Sequence, residues 1–289
     1  MVLLRKLRDY IQLIKLRLSL LVIFSAFSSY FLSADIIDWH KVLFLSLGGL
    51  LVTGSANGFN EFIERDLDKK MNRTRIRPIP DGRMTIAEAT ISCSVMAATG
   101  FFILSNYVNT NCALISMISF LLYVFVYTPI KIHSPFAVYI GAFPGAMPVL
   151  IGASAVSTEA LTSLTTMQLF AIQFLWQFPH FWSIAWVLDE DYARAGFRLL
   201  PSKEGKTKKS ALQILLYTVT LFPVSLLPVI SGQAGLITSI VASVVSGLFI
   251  TFAIQLYRSC SVADAKKVMY CSFGYLPAVL IAIIMDWIF

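Results

Sequence analysis

Charged side chains are scarce in this sequence. Only 13% of its 289 residues are Asp, Glu, Lys or Arg, whereas 57% are hydrophobic, and the mean hydropathy is +0.75. Soluble globular domains carry about twice that share of charge. The composition therefore excludes an ordinary water-soluble protein and predicts a polytopic integral membrane protein of the all-α class.

Cysteine and histidine are also rare. The four cysteines have no paired spacing and lie mostly in or beside apolar runs; they are Cys93, Cys112, Cys260 and Cys271. This excludes a disulfide framework and a cysteine-held metal site. A bis-histidine haem carrier needs a second histidine at the depth of His180, and neither His40 nor His133 provides one.

Apolar runs of about 20 residues, each long enough to cross the hydrocarbon core, recur along the whole chain. We expect nine transmembrane helices in a single domain of residues 1–289. They lie near 12–34, 41–61, 86–106, 110–129, 136–157, 164–188, 211–231, 234–257 and 267–288. No small-residue cleavage site follows the first run, so we interpret it as a retained helix and not as a signal peptide.

The net charge of +7 is explained by orientation in a membrane. All Lys and Arg residues except Lys41 fall on the side shared by the N-terminus and the loops after even-numbered helices. The positive-inside rule then predicts a cytoplasmic N-terminus and an external C-terminus. No nucleic-acid partner is needed to account for the basic residues.

An acidic stripe ends the second expected helix. If that helix runs from Lys41 to Asp68, then Asn60, Glu64 and Asp68 recur every fourth residue on one face, with Asp66 about 120° from Asn60. Ordinary surface ion pairs are the simpler explanation, but ionisable groups at the end of a membrane helix are costly and usually functional. We therefore treat the stripe as a candidate metal site.

Basic residues follow the stripe at once and end at Pro78 and Pro80; they are Lys69, Lys70, Arg73, Arg75 and Arg77. Carboxylate and amide oxygens beside cations suit a polyphosphate bridged by Mg²⁺. A second acidic cluster, Asp189, Glu190 and Asp191, follows the sixth expected helix. A four-helix unit used twice would bring the two clusters together across a central cavity.

Two apolar segments contain unusual residues. The fifth expected helix contains Pro144 and Pro148 among glycines, which indicates a bent helix that lines a cavity. The sixth contains Trp-Gln-Phe-Pro-His-Phe-Trp, residues 176–182. Its His180 is either a satisfied core group or a ligand of a flat aromatic molecule, and Pro179 is expected to open space beside it.

These motifs resemble those of the UbiA superfamily of intramembrane aromatic prenyltransferases, and of its haem-modifying branch. The superfamily's Asn-x-x-x-Asp-x-x-x-Asp motif is met by Asn60, Glu64 and Asp68. The haem-type continuation is met by Arg65, Asp66, Asp68, Met71, Arg73, Thr74, Arg77 and Pro78. The Trp-Gln-x-Pro-His-Phe-Trp signature and the segment from Asp191 and Tyr192 to Pro201 also resemble the haem branch.

The resemblance implies a UbiA-like bundle of helices around a cavity and a Mg²⁺-dependent transfer of farnesyl from farnesyl diphosphate to haem B, which is a substrate and not a cofactor. It assigns catalytic roles to Asn60, Glu64, Asp68 and Asp191, and metal ligation to Asn60, Glu64, Asp68, Glu190 and Asp191. It assigns substrate binding to Arg65, Arg73, Arg77, Lys131, Trp176, Gln177, His180 and Tyr192.

The resemblance also implies a bacterial plasma (inner) membrane location, with haem A synthase or a terminal oxidase assembly as protein partners. Three departures from the family pattern affect the assignments. Glu64 replaces the usual Asp, the loop after Lys131 differs, and the second acidic cluster lacks the usual spacing of four. The alternatives are a prenyltransferase of quinone precursors and a transporter, although a transporter more often places its acids near the midplane.

Overall fold

A computed structural model describes residues 2–202 and 204–289, and every regular element in these ranges is helical. The helices are α1 Val2–Leu13, α2 Leu16–Ser33, α3 Trp39–Asp68, α4 Ile86–Ile103, α5 Thr110–Leu121, α6 Thr128–His133, α7 Ala137–Val156, α8 Thr158–Leu161, α9 Leu164–Val187, α10 Asp189–Arg194, α11 Lys208–Ser225, α12 Leu227–Ile230, α13 Leu236–Ser259 and α14 Val262–Ile288. Two π-helical segments, Leu104–Val108 and Leu122–Tyr127, extend α4 and α5.

Helices occur at all nine expected places. Eight of them, in the part of the chain that the structure describes, are long and apolar enough to cross a membrane. The ninth is α9, which has 24 residues but carries three glutamines and His180 along its length. An integral membrane protein of the all-α class is therefore confirmed, with nine as an approximate count of its spans.

The first expected span, residues 12–34, is wrong at its start. The structure has a separate helix α1 before it, and the chain turns at Ile14 and Lys15. Lys15 has φ 47° and ψ 55°, a left-handed conformation that interrupts the helical hydrogen bonding. The turn brings the Lys15 side chain back towards α3.

Small residues set the closest helix contacts. A Cβ added at Gly152 of α7 would lie 2.0 Å from the carbonyl oxygen of Ala26 in α2. A Cβ at Gly100 of α4 would lie 3.0 Å from the carbonyl oxygen of Gly48 in α3. Membrane helices gain little from apolar association in lipid, so close backbone approach of this kind holds them together.

Helix α7 is held at its prolines by polar side chains of its neighbours. Pro148 has no backbone N–H for the carbonyl of Pro144, and Ser119 of α5 donates to that carbonyl at 3.4 Å. Gln173 of α9 donates to the carbonyl of Gly145 at 2.8 Å. The backbone carbonyls of Pro144 and Gly145 thus receive side-chain hydrogen bonds from inside the bundle.

The π-helical segment Leu122–Tyr127 positions the next helix. Pro129, at the start of α6, lacks the N–H that a continuous α-helix would use there. A π-helical turn before it absorbs the mismatch and changes the angular position of the residues that follow. Lys131, two residues after Pro129, lies 2.9 Å from Glu64 of α3.

Candidate active site

The last two turns of α3 bury the acidic stripe that the sequence predicts. Asn60, Glu64 and Asp68 are each at most 3% exposed, and α3 continues to Asp68 without a break. Asp66 instead points outward and pairs with Lys69 at 3.2 Å, where both side chains are exposed. The four-residue spacing has therefore placed three oxygen-bearing side chains on one interior face.

Two of these acids are paired with buried cations. Lys131 of α6 lies 2.9 Å from Glu64 Oε1, and both side chains are almost inaccessible. Arg77 of the loop after α3 donates to Asp68 Oδ2 at 2.6 Å. Removing one member of a buried pair typically costs about 3 to 5 kcal/mol, so these pairs also hold the loop and α6 against α3.

Asn60 is held between two further groups. Its Oδ1 accepts a hydrogen bond from Lys15 Nζ at 3.0 Å, and its Nδ2 donates to Thr128 Oγ1 at 3.3 Å. Burial, together with the positive charge of Arg77, lowers the pKa of Lys15 to about 7. Lys15, Arg77 and Lys131 therefore place three basic groups around the stripe.

Glu61 is a buried acid that sequence reasoning did not assign to the site. It has no measurable exposure, and its Oε1 accepts a hydrogen bond from the backbone N–H of Ile79 at 3.0 Å. This bond, with that from the Thr74 hydroxyl to the carbonyl of Asp68 at 3.0 Å, folds the loop back over the end of α3. Glu61 thus shapes the loop that carries Arg73 and Arg77.

The second acidic cluster reaches the same loop through one residue. Asp191 accepts hydrogen bonds from the backbone N–H groups of Asn72 at 2.8 Å and Arg73 at 3.2 Å. Asp189 instead pairs with Lys206 at 3.5 Å, and Glu190 is exposed. The loop after α3 and the segment after α9 are therefore in contact, with Asp191 as the link between them.

A cavity of about 200 Å³ opens beside the stripe. Two cations, Arg73 and Lys131, stand at its wall, together with the aromatic rings of Tyr127, Phe181 and Tyr192. The rest of the lining is Val138, Gly141, Ile184, Leu188 and Leu199. Lys131 Nζ also lies 4.9 Å from the centre of the Phe197 ring, which stabilises its charge away from water.

Other expected substrate contacts lie away from this cavity. Arg65 points outward, where it donates to the carbonyl of Phe62 at 3.0 Å. Gln177 is buried between α9 and α7, and its amide donates to the carbonyl of Ala142 at 2.9 Å. Gln177 therefore forms a packing contact between α9 and α7. Gly145 has no side chain, and this leaves space for the Gln177 amide.

Trp176 and His180 form a separate cluster against α14. Their rings stack with centroids 4.3 Å apart. The Trp176 indole donates to the carbonyl of Ser272 at 2.8 Å, and His180 Nδ1 lies 2.8 Å from the Ser272 hydroxyl. Since His180 is adjacent in sequence to Phe181, this cluster lies beside the cavity but on the next face of α9.

The donor set at the stripe fits a hard cation. Within residues 2–202 and 204–289, no three His, Cys, Asp or Glu side chains already converge on a metal position, because Lys131 and Arg77 occupy the carboxylates. Yet Asp68 Oδ1 is buried and accepts no hydrogen bond from the described residues. A buried carboxylate oxygen without a donor is costly, and a bound Mg²⁺ would satisfy it.

A membrane bundle that buries acids and cations at one end of an apolar cavity is suited to an enzyme that acts on an amphipathic anion. Residues 21–276 match the model of the UbiA prenyltransferase family, and the chain belongs to this family.

Two named relatives align along almost the whole chain. It is 44% identical over 281 residues to protoheme IX farnesyltransferase of Cytophaga hutchinsonii, covering 97% of this chain and 98% of the relative. It is 39% identical over 284 residues to protoheme IX farnesyltransferase of Christiangramia forsetii, covering 97% and 93%.

Solved structures show the same fold. A structure of digeranylgeranylglyceryl phosphate synthase matches with a TM-score of 0.80 at 22% identity, over 98% of each chain. A UbiA homologue from Archaeoglobus fulgidus bound to GPP and Mg²⁺ matches with a TM-score of 0.59 at 14% identity, over 96% of this chain and 99% of that one. The prediction of a UbiA-like helical bundle is therefore confirmed.

Proposed function

We propose that this protein transfers the farnesyl group of farnesyl diphosphate to a vinyl group of haem B, giving haem O and diphosphate. Membership of the UbiA prenyltransferase family supports prenyl transfer. Similarity along almost the full length to relatives named protoheme IX farnesyltransferase supports haem B as the acceptor. The buried stripe beside an apolar cavity supports a substrate that is anionic at one end and hydrocarbon at the other.

The diphosphate would bind at the end of α3. Arg77, Lys131 and Lys15 already surround the stripe, and Arg73 stands at the cavity wall. Paired cations of this kind recognise phosphate oxygens through charge-assisted hydrogen bonds. As the allylic C–O bond breaks, these fixed cations would stabilise the negative charge that grows on the leaving group.

Asn60, Glu64 and Asp68 would hold Mg²⁺, with Asp191 and Glu190 as the ligands proposed from the second cluster. When bound, Mg²⁺ supplies positive charge to the departing diphosphate. Lys131 and Arg77, which pair with Glu64 and Asp68 in the structure, would be the cations nearest to the phosphate oxygens of the bound substrate.

The cavity would receive the first isoprene units of the farnesyl chain. Its lining beyond Arg73 and Lys131 is mostly aliphatic and aromatic, so water has few partners there. Exclusion of water protects the allylic cation until the acceptor reaches it. The haem vinyl π electrons then form the new C–C bond to the farnesyl C1, and water adds to the resulting cation and loses a proton to give the hydroxyl.

Haem B would approach from the side of α9 and α14. His180 and Trp176 form a flat aromatic surface there, and the Ser272 hydroxyl fixes the orientation of the imidazole. An aromatic surface of this kind can stack on a porphyrin edge, and an imidazole can orient or ligate its iron. We assign this role to His180, with Trp176 beside it and Tyr192 at the cavity wall.

The same reasoning extends to location and partners. We place the protein in a bacterial plasma membrane with the N-terminus in the cytoplasm and the C-terminus outside, on the distribution of Lys and Arg. The product is apolar and haem-like, so it would pass within the membrane to a protein that uses it, such as haem A synthase or a terminal oxidase assembly.

The test is an assay on membranes that contain the protein, incubated with haem B, farnesyl diphosphate and Mg²⁺. Mass spectrometry of the extracted haems should detect haem B plus a hydroxyfarnesyl group, and EDTA should abolish that product. Excess Mg²⁺ added after EDTA should restore it. Unchanged haem B in membranes that contain the folded protein would refute the assignment of the acceptor.

A further inference from the structure

Helix α1 presents an apolar stripe that no other part of the described chain covers. Leu4, Leu7 and Ile11 are 71%, 56% and 41% exposed, and their spacing of three and four residues places them on one face. Arg5 and Arg8 are exposed beside that stripe. A single exposed apolar side chain is ordinary, but three on one helical face flanked by arginines indicate an interaction surface.

The position of α1 identifies the surface that covers it. Its last residue, Leu13, is fully buried against Gly58 of α3, and the chain turns at Lys15 directly into the membrane span α2. The first turns of α2 expose Leu18, Leu20 and Leu21. The apolar stripe of α1 is therefore followed, across the turn at Lys15, by exposed leucines at the start of a membrane span, where hydrocarbon is expected to meet headgroups.

The opposite face of α1 is fastened to the active-site loop. Asp9 is buried and forms an ion pair with Arg83. Arg83 also donates to Gln12 Oε1 at 3.1 Å and to the carbonyl of Ile76 at 2.6 Å. Lys6 lies 2.8 Å from Glu88 in the first turn of α4. One face of the helix thus holds the loop of residues 69–85, and the other faces outward.

We propose that α1 binds the anionic lipid surface of the leaflet on its own side, and that this docking holds the loop of residues 69–85 over the end of α3. The apolar stripe inserts among the acyl chains while Arg5 and Arg8 contact lipid phosphates. This is the pattern of an interfacial amphipathic helix. A basic residue near an anionic surface strengthens binding by about fivefold. Because that loop carries Arg73 and Arg77, the lipid charge sets how firmly the diphosphate cations are held.

The experiment is hydrogen exchange of the full chain in nanodiscs of phosphatidylcholine alone and with about a third phosphatidylglycerol. We expect phosphatidylglycerol to slow amide exchange several-fold in residues 4–13 and in residues 70–84. Arg5→Gln with Arg8→Gln should remove both effects. Equal exchange of residues 4–13 in the two lipids would overturn the proposal.

A matched pair of charges controls for general attraction to anionic lipid. Arg258 and Lys266 are exposed at the ends of α13 and α14 that lie on the same side of the membrane as α1, and no hydrogen bond or ion pair among the described residues joins either of them to the loop of residues 69–85. Arg258→Gln with Lys266→Gln removes as many charges, and should leave the lipid effect on residues 4–13 and 70–84 intact. Loss of the effect in this variant would overturn the specific role of α1.

The link between α1 and the loop has its own control. Asp9→Ala and Asp81→Ala each remove one carboxylate from Arg83, but only Asp9 belongs to α1. In Asp9→Ala, phosphatidylglycerol should still protect residues 4–13 and should no longer protect residues 70–84, whereas Asp81→Ala keeps both effects. Asp9→Asn, which preserves the side-chain volume, is measured beside it, and exchange in α13 serves as the reference for folding. Protection of the loop in both Asp9 variants would refute the coupling.

Discussion

The carboxylate of Asp191 accepts a hydrogen bond from the backbone N–H of Asn72 at 2.8 Å, across 119 positions of sequence. A second bond, from the N–H of Arg73 at 3.2 Å, completes the contact. Asp191 therefore fixes the loop that positions Arg73 at the cavity wall. Its proposed metal ligation would require the carboxylate to exchange these donors for the cation, or to share its two oxygens between them.

Asp191→Ala should lower kcat/KM for farnesyl diphosphate at least tenfold. Hydrogen bonds to a charged acceptor contribute about 1.5 to 3 kcal/mol each, and tenfold corresponds to about 1.4 kcal/mol. Steady-state kinetics measures the loss of kcat/KM. Faster amide exchange of residues 70–75 would show that the loop has lost its anchor. Asp189→Asn is the matched control, because Asp189 pairs with Lys206 at 3.5 Å and has no assigned role in the site: if this neighbouring acid proves as important as Asp191, the anchoring role is wrong.

Lys15→Met should weaken binding of an unreactive farnesyl thiolodiphosphate by about tenfold. Methionine keeps the length of the chain but removes the ammonium that lies 3.0 Å from Asn60 Oδ1, and a charge-assisted hydrogen bond to phosphate is lost with it. Calorimetric titration in detergent measures the affinity. Lys41→Met, at the opposite end of α3, should leave the affinity unchanged. Equal affinities in the wild type and both variants would show that Lys15 does not contact the diphosphate.

His180→Ala should weaken haem B binding by about tenfold while leaving farnesyl thiolodiphosphate binding intact. The imidazole stacks on Trp176 on the α14 side of α9, away from the diphosphate cations. Absorbance titration measures haem affinity. Ser272→Ala removes the 2.8 Å contact to His180 but keeps the ring, so its effect should be smaller. An unchanged haem affinity in His180→Ala would show that His180 packs against Trp176 and α14 and does not bind haem.

Gly152→Ala should destabilise the bundle by about 2 kcal/mol or more. Its Cβ would meet the Ala26 carbonyl oxygen at 2.0 Å, and backbone atoms cannot move aside as a flexible side chain can. Gly247→Ala in α13 meets nothing within 4 Å, so it should be neutral or stabilising by up to about 1 kcal/mol. Unfolding in mixed detergent micelles measures both, and similar stabilities would contradict the close packing of α7 on α2.

The local part of the site could be predicted from sequence. The period of the α-helix places Asn60, Glu64 and Asp68 on one face, and the structure buries all three. Span positions followed from hydropathy, because the bilayer tolerates few other structures. The boundary at Lys15 could not be predicted, since this left-handed turn contains no glycine or proline.

Contacts between segments that are distant in the chain could not be predicted from the sequence. Lys15 and Asn60 lie 45 residues apart, and nothing in either segment specifies their meeting. Sequence reasoning gave Glu61 no role in the site, yet it is buried, and its carboxylate accepts a hydrogen bond from the Ile79 N–H of the loop that folds back over α3. One signal was available: Glu61 stands one residue after Asn60, still inside the buried part of the α3 span.

The measurement that tests the central claim most directly is a competition between acceptors. Membranes containing the protein receive farnesyl diphosphate, Mg²⁺ and equal amounts of haem B and a phenolic quinone precursor, with Asp68→Asn membranes as the inactive control. Mass spectrometry should find the farnesyl group on haem alone, and on neither acceptor with Asp68→Asn. Farnesylation of the phenol with haem B unchanged would contradict the proposed function and leave a prenyltransferase of another acceptor.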